Sequence, residues 1–359
     1  MTIVIFIIVL GILILVHEWG HFIAAKKSGL IVEEFGFGFP PKLFSFKKNG
    51  TIYSINLLPL GGFVKILGEN GEQIDNPNSF SSKSVGIRSL ITISGVAMNF
   101  LLAVFLLAIG FYIGLPQIID NNNEGMAKNI KNQIVAINAD SPAEKAGLKI
   151  GDALKYIKIG EKNEDITDIE AFQNIINDNR GETTAIFVQR NSDIIEITVA
   201  PRINPPKGEG ALGIAMAKTG IISYPWYKSI WFGAKASFFV TWEIIKGFGN
   251  LIKNLVVSGE IPRDITGPVG IMSLTSQAAN LGFVYLLQFV ALISLNLTVL
   301  NLMPFPALDG GRLLFFGIEK IKGGKVNPKI ENAVHSMGLI LILILFILIT
   351  YRDILRLRL

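Results

Sequence analysis

His17-Glu18-Trp19-Gly20-His21 follows an uncharged run, Ile3 to Val16, near the start of the chain. On a helix, the pattern H-E-x-x-H places two imidazoles one turn apart on the same face, with a carboxylate beside them that can take a proton from water. Polar groups next to such an apolar helix are costly in a membrane and are usually functional. The stretch therefore predicts zinc chemistry at membrane depth.

Two simpler interpretations of this stretch compete with a metal site. The motif can be a chance match at a helix end, although His occurs just 3 times in the chain. The segment can also be a secretory signal peptide. Against that, no basic residue precedes the apolar run, and His and Glu follow it in place of a small-x-small cleavage site.

The composition predicts a mixed architecture. With 359 residues, 50% hydrophobic and 17% charged, the chain is too apolar for an ordinary soluble enzyme and too charged to lie wholly in a membrane. The net charge of +5 is spread along the sequence, which favours contact with lipid headgroups and excludes a nucleic-acid partner. Because the chain has no Cys, a zinc ion must be held by His and carboxylate ligands.

Four segments are long and apolar enough, or nearly so, to span a bilayer, which requires about 20 apolar residues in a helix. They are residues 3–25, 90–115, 283–303 and 336–351. The loops after the first and before the last span contain thirteen Lys and Arg. The positive-inside rule places these loops in the cytoplasm, although three Arg in the C-terminal tail argue the other way.

A polar segment separates the second and third spans. Within residues 126–203, apolar runs such as 134–137 and 184–188 predict strands, and residues 169–176 predict a helix. The stretch Ser141–Asp152, SPAEKAGLKIGD, resembles the helix-then-turn signature of a PDZ domain of the circularly permuted bacterial kind. A generic helix that ends at Gly147 is the alternative, but it leaves the surrounding strands unexplained.

Residues 224–259 are apolar enough to be mistaken for a fifth span. Their charged residues recur at helical spacing along one stripe, and Trp226, Trp231 and Trp242 lie close by. We therefore expect an amphipathic helix in the membrane interface. The alternative is a core helix of the preceding soluble module.

The third zinc ligand is ambiguous in the sequence. A catalytic zinc ion usually has three protein ligands, and the first helix supplies two. The candidates are His335, at the start of the last span, and Asp309, in the segment Asn301–Arg312. Pro304 and Pro306 break a helix at membrane depth, which is tolerated where the freed backbone is buried or lines a wet cavity. Asp309 can equally serve as the N-cap of the following helix.

Taken together, these motifs resemble the site-2 protease family of intramembrane zinc metalloproteases, near the bacterial regulator of sigma-E protease type. The order and spacing match over nearly the whole chain, although this chain has one PDZ-like module where the best-known enterobacterial relatives have two. The resemblance implies that His17, His21 and Asp309 bind Zn²⁺ and that Glu18 is the catalytic base. It also implies that Asn301, and less surely Asn296, lie near the substrate.

Two further segments share this resemblance. Leu58–Lys65, LPLGGFVK, resembles a membrane-reentrant β-hairpin that pairs with substrate as an added strand. Gly61, Gly62, Phe63 and Val64 are then substrate-binding positions. Gly267–Ile271, GPVGI, also recurs in the family, with no role that the sequence reveals.

The predicted fold is a multi-pass α-helical membrane protein with about four transmembrane helices, a membrane-reentrant β-hairpin and an inserted α/β PDZ-like domain. The parts are an N-terminal catalytic membrane part at 1–115, with its hairpin at about 52–68, the PDZ-like domain at 126–203, the interfacial helix at 224–259, and a C-terminal catalytic membrane part at 283–359.

The resemblance implies an intramembrane zinc metalloendopeptidase for regulated intramembrane proteolysis. Its expected partners are the lipid bilayer and single-span membrane proteins, such as anti-sigma factors or remnant signal peptides. We expect it in the inner (plasma) membrane, with the active site near the cytoplasmic side and the PDZ-like domain extracytoplasmic. One alternative is a membrane-anchored PDZ scaffold with an inactive metal site. Another, a zinc-dependent transporter, is disfavoured because the four spans show no internal repeat.

Overall fold

The computed structural model describes residues 2–120, 123–159, 162–166, 168–190, 193–206, 208–259 and 267–357. The chain forms two compact units, Met1–Gly110 with Trp226–Leu359, and Phe111–Pro225. The helices are α1 (Thr2–Lys27), α2 (Val85–Ile113), α3 (Pro142–Ala146), α4 (Ile169–Asp178), α5 (Trp226–Ser258), α6 (Pro268–Leu281), α7 (Phe283–Leu302), α8 (Asp309–Lys322) and α9 (Pro328–Leu357). The strands are β1 (Val32–Lys48), β2 (Thr51–Ile66), β3 (Leu115–Ile118), β4 (Lys128–Ile137), β5 (Ala153–Ile159), β6 (Lys162–Asp165), β7 (Thr184–Arg190), β8 (Asp193–Val199) and β9 (Ile214–Ile222).

The expectation of four apolar spans is confirmed. Among the described residues, α1, α2, α7 and α9 are long and apolar enough to cross a membrane. The first of these ends where Lys26 and Lys27 occupy the last turn, a position that favours basic side chains near the helix carbonyls. The protein is therefore a multi-pass membrane protein.

Strands β1 and β2 form a sheet in which each strand contributes two segments. The strands are joined at Asn49-Gly50, where both residues have positive φ, as a tight type I′ hairpin turn requires. From the hairpin end, residues 42–48 pair antiparallel with 51–56. Residues 52–55 also pair with 34–37, in the parallel direction. Residues 32–37 in turn pair antiparallel with 62–66. Residues 62–66, which we call the inner edge, have no second strand partner among the described residues.

Aromatic side chains dock this sheet onto the end of α1. The ring of Phe22 lies 5.2 Å from that of Phe35 and 6.0 Å from that of Tyr53, and Trp19 lies 6.0 Å from Phe35. Edge-to-face contacts of this kind add to the apolar area that is buried. The docking fixes the sheet against the helix that carries the H-E-x-x-H motif.

The second unit is an α/β module built on an antiparallel sheet with the strand order β3-β9-β4-β5-β7-β8, with β6 paired to β5. Its core contains Ile134, Ile157, Phe172, Ile186 and Val188, all nearly inaccessible to solvent. The unit is wider than the predicted range 126–203, because β3 and β9 extend the sheet on both sides of that range.

The Gly151-Asp152 pair of the predicted PDZ signature has a structural role in this module. Asp152 is 1% exposed, and its two carboxylate oxygens accept hydrogen bonds from Arg190 at 2.7 Å each. Arg190 also donates to the carbonyl of Gly147, at the end of α3. The aspartate thus ties the turn after α3 to strand β7.

Within the predicted range 224–259, residues 226–258 form the single helix α5, with exposed Trp226, Trp231 and Trp242 side chains. Its N-terminal half packs against α2, since the ring of Phe238 lies 4.9 Å from that of Phe100. Its placement in the membrane interface stays a prediction.

The GPVGI segment forms the N-terminus of α6, which packs against α9. Asp353, 6% exposed, accepts hydrogen bonds from the backbone N–H groups of Gly267 at 3.2 Å and Gly270 at 2.9 Å. A side chain at Gly267 is excluded, because its Cβ would lie 2.5 Å from Ile349. A carboxylate of the last span thus caps α6.

We expect Asp353→Asn to lower the melting temperature of the purified protein in detergent. An amide replaces the buried carboxylate acceptor, at a cost of about 1 to 3 kcal/mol. The control is Thr350→Val, which removes a hydroxyl bonded to Phe346 on the exposed face of the same helix. Equal melting temperatures for the two variants would contradict the capping role.

Candidate metal centre

Helix α1 presents His17 and His21 on one face, as the spacing predicts. The two ring centroids are 4.8 Å apart, and the two Nε2 atoms are 3.1 Å apart. Each side chain is 13% exposed. Two nitrogen lone pairs can therefore converge on one point beside the helix.

Asp309 reaches the same point from a distant part of the chain. Its Oδ2 atom lies 3.2 Å from Nε2 of His17 and 3.5 Å from Nε2 of His21. Helix α8 begins at Asp309 itself, its N-cap residue is Leu308, and no side-chain capping bond is formed there. Of the two interpretations of Asp309, metal ligation fits this geometry and N-capping does not.

His335, the other candidate third ligand, has a different place. Its Nδ1 atom accepts a hydrogen bond of 2.9 Å from the backbone N–H of Ala307. Ala307 has φ of 75°, a strained value for a residue with a side chain. His335 therefore supports the turn that leads to Asp309. It lies outside the cluster formed by His17, His21 and Asp309.

The predicted catalytic residues line one cavity of about 740 Å³. Its walls include Glu18 and the cluster residues, together with Asn301 at the end of α7 and Gly62, Phe63 and Val64 of the inner edge. Two predicted substrate positions lie elsewhere. Asn296 donates to the carbonyl of Leu292 in its own helix, and Gly61 faces the ring of Phe39.

Sequence reasoning missed the contribution of α2. Its Gly95 lies against both rings: a Cβ there would be 2.3 Å from Nε2 of His21 and 2.9 Å from Cε1 of His17. The carbonyl of Ile91 lies 2.9 Å from Nδ1 of His21, and Asn99 lies beside His17. A glycine within a membrane span gives no signal of such a contact, because small residues are common wherever membrane helices pack closely.

Two ion pairs that sequence reasoning also missed anchor α8. Arg312, one turn after Asp309, pairs with Glu69 in the loop after β2, and both residues line the cavity. Farther along the helix, buried Glu319 pairs with Arg88 at the start of α2. These pairs join α8 to the loop after β2 and to α2.

The residues present fit a zinc ion. Two imidazoles and one carboxylate form a donor set typical of catalytic zinc sites. The Oδ2 atom of Asp309 is buried without a hydrogen-bond partner in the described part of the chain, so its negative charge is left for a cation. The three ligand atoms lie within 4.8 Å of one another.

The fold and this site define a membrane metalloprotease. The family model described as peptidase family M50 matches residues 5–345, so the chain belongs to that family, the site-2 proteases. It is a zinc metalloprotease.

Similar proteins span the chain almost completely. The zinc metalloprotease RasP of Geobacillus kaustophilus is 32% identical over 98% of this chain and 97% of its own length. The regulator of sigma-W protease RasP of Bacillus subtilis is 31% identical over 99% of both chains. The regulator of sigma-E protease RseP of Escherichia coli is 29% identical over 98% of both chains.

We expect Asp309→Asn to remove zinc from the purified protein, because the charged ligand is lost. His335→Gln should retain zinc, because the new amide oxygen can still accept from Ala307. Zinc content per chain, measured by elemental analysis, decides between the two residues. A zinc-free His335 variant beside a zinc-loaded Asp309 variant would mean that the third ligand is misassigned.

Proposed function

We propose that His17, His21 and Asp309 hold the zinc ion and that Glu18 is the base of an intramembrane endopeptidase. The observation that carries this proposal is the convergence of the three ligand atoms within 4.8 Å, in a cavity that Glu18 also lines. A membrane-anchored scaffold with an inactive metal site is disfavoured, because the three candidate ligands and Glu18 are all present at the site.

The residues that line the cavity have different roles in the proposed hydrolysis of a peptide bond. The zinc ion, when bound, acts as a Lewis acid toward the scissile carbonyl and activates water. Glu18 takes a proton from the attacking water and returns it to the nitrogen of the leaving amine. Asn301, which also lines the cavity, donates a hydrogen bond to substrate backbone or to the developing oxyanion in this proposal.

The inner edge is the proposed substrate-binding strand of a membrane-reentrant hairpin. A helical substrate hides its scissile carbonyl in its own hydrogen bonds, so cleavage requires unwinding and a new partner for the backbone. Residues 62–66 offer such a partner by strand addition. Gly62 places this edge next to the base, since a Cβ there would lie 3.0 Å from Cγ of Glu18.

The proposed substrates are single-span membrane proteins, such as anti-sigma factors or remnant signal peptides, trimmed first by another protease. The names of the relatives in Bacillus subtilis and Escherichia coli, regulators of sigma-W and sigma-E, support the first of these. We place the zinc near the cytoplasmic side of the inner membrane. The second unit, PDZ-like and extracytoplasmic, then screens substrates by bulk or by their new C-termini.

Glu18→Gln should slow cleavage of a single-span substrate in liposomes by about 10² to 10⁴-fold, because glutamine cannot accept the proton. Zinc content should remain at one ion per chain. Wild-type turnover by this variant would show that another group is the base.

Val64→Pro should impair cleavage while zinc stays bound, because proline removes a backbone donor from the inner edge. The loss should be large for a stable transmembrane helix and smaller for one loosened by Gly near the cut. The matched control is Ser45→Pro, in the opposite edge of the same sheet. Equal loss in both variants would indicate damage to the sheet instead of a lost substrate contact.

A further inference from the structure

Asn99 is a buried polar residue in an apolar helix, and the proposed mechanism gives it no task. It is 1% exposed, and its amide nitrogen lies 3.4 Å from Nδ1 of His17. Its Oδ1 atom is buried without a hydrogen-bond partner in the part of the chain that the structure describes. An unpaired amide oxygen costs about 1 to 3 kcal/mol, so Asn99 needs a physical explanation.

His21 indicates what a ligand imidazole requires at this site. Its Nε2 atom faces Asp309, while its Nδ1 atom lies 2.9 Å from the carbonyl of Ile91. A carbonyl can only accept a hydrogen bond, so Nδ1 carries the proton and Nε2 is left with a free lone pair. The backbone of α2 thus selects the tautomer of His21 that can bind a metal.

His17 has the same orientation but a different neighbour. Its Nε2 atom faces Asp309 at 3.2 Å, and its Nδ1 atom faces the side chain of Asn99. When Nε2 binds a metal, Nδ1 must carry the proton and needs an acceptor. Rotating the amide of Asn99 by half a turn exchanges its oxygen and nitrogen without moving the helix. The unpaired Oδ1 atom then becomes that acceptor.

Ile91, Gly95 and Asn99 are spaced four residues apart and share one face of α2. Gly95 leaves space for both rings. One turn before it, Ile91 contacts His21, and one turn after it, Asn99 contacts His17. The backbone carbonyl of Asn99 accepts a hydrogen bond of 2.8 Å from Ser294 on α7, a main-chain contact that does not involve the side-chain amide.

We propose that Asn99 is a positioning residue for the zinc site: its Oδ1 atom accepts the Nδ1 proton of His17 and thereby keeps the Nε2 lone pair directed at the metal. The proposal rests on the ligand set proposed above. Hydrogen-bond partners of metal-binding imidazoles typically change metal affinity by about 10- to 100-fold.

The test is zinc affinity of the full-length protein in detergent, measured by competition with a chelator. Asn99→Leu keeps the volume and removes the acceptor, and we expect about 10- to 100-fold weaker binding. Asn99→Asp keeps an acceptor and should bind zinc at least as tightly as the wild type. Ser294→Ala is the matched control, because it removes the bond to Asn99 without touching the imidazole, and it should leave affinity unchanged.

Nitrogen NMR of histidine-labelled protein provides a second readout, which reports on the wild-type site itself. The chain has 3 His, so each ring can be assigned by single substitution. In the zinc-loaded protein we expect a protonated Nδ1 in His17, hydrogen-bonded like that of His21. An Nδ1 without a proton, or equal zinc affinity for Asn99→Leu and wild type, would overturn the role of Asn99. Wild-type protein that binds no zinc would overturn the ligand set itself.

Discussion

The close approach of α1 to α2 is the constraint on which the site depends. A Cβ at Gly20 would lie 2.3 Å from the carbonyl oxygen of Ser94, so the two helix backbones are in direct contact. Small residues permit such contacts between apolar helices, where burial of apolar surface supplies little driving force. The contact encloses the two imidazoles, which would otherwise be polar groups exposed to lipid. It also brings Ile91 and Asn99 of α2 to the Nδ1 atoms of the two rings.

The carboxylate of Asp309 reaches the two imidazoles from a separate part of the chain. Helix α7 ends before Pro304, and a short irregular turn, supported by His335, leads to Asp309. Two ion pairs hold the helix that follows. The pair of Arg88 with Glu319 is buried, and Glu319 also accepts from the backbone of Val326. Loss of one partner would leave an uncompensated buried charge, which is strongly destabilising. Asp309 is therefore positioned by electrostatics as much as by packing.

Local spacing explains which features the sequence could predict. His17, Glu18 and His21 depend on helical periodicity alone, and the four apolar spans depend on length and composition. The choice between Asp309 and His335 needed tertiary information, because no local spacing ties either residue to His17 and His21. The arrangement of the sheet, in which β1 and β2 each contribute two segments, depends on pairings between distant residues. Gly95 and Asn99 carry no motif that an isolated sequence reveals, since their roles come from a neighbouring helix.

The separation of the ligands along the chain has a consequence for biosynthesis. On the proposed ligand set, two ligands lie in the first span, and the third follows the third span. A chain still being translated therefore inserts its first two spans with an incomplete site, and it cannot cut neighbouring membrane proteins at that stage. The site is completed only after residue 309 has left the ribosome and α8 has docked. The order of synthesis thus delays proteolysis until the membrane part has assembled.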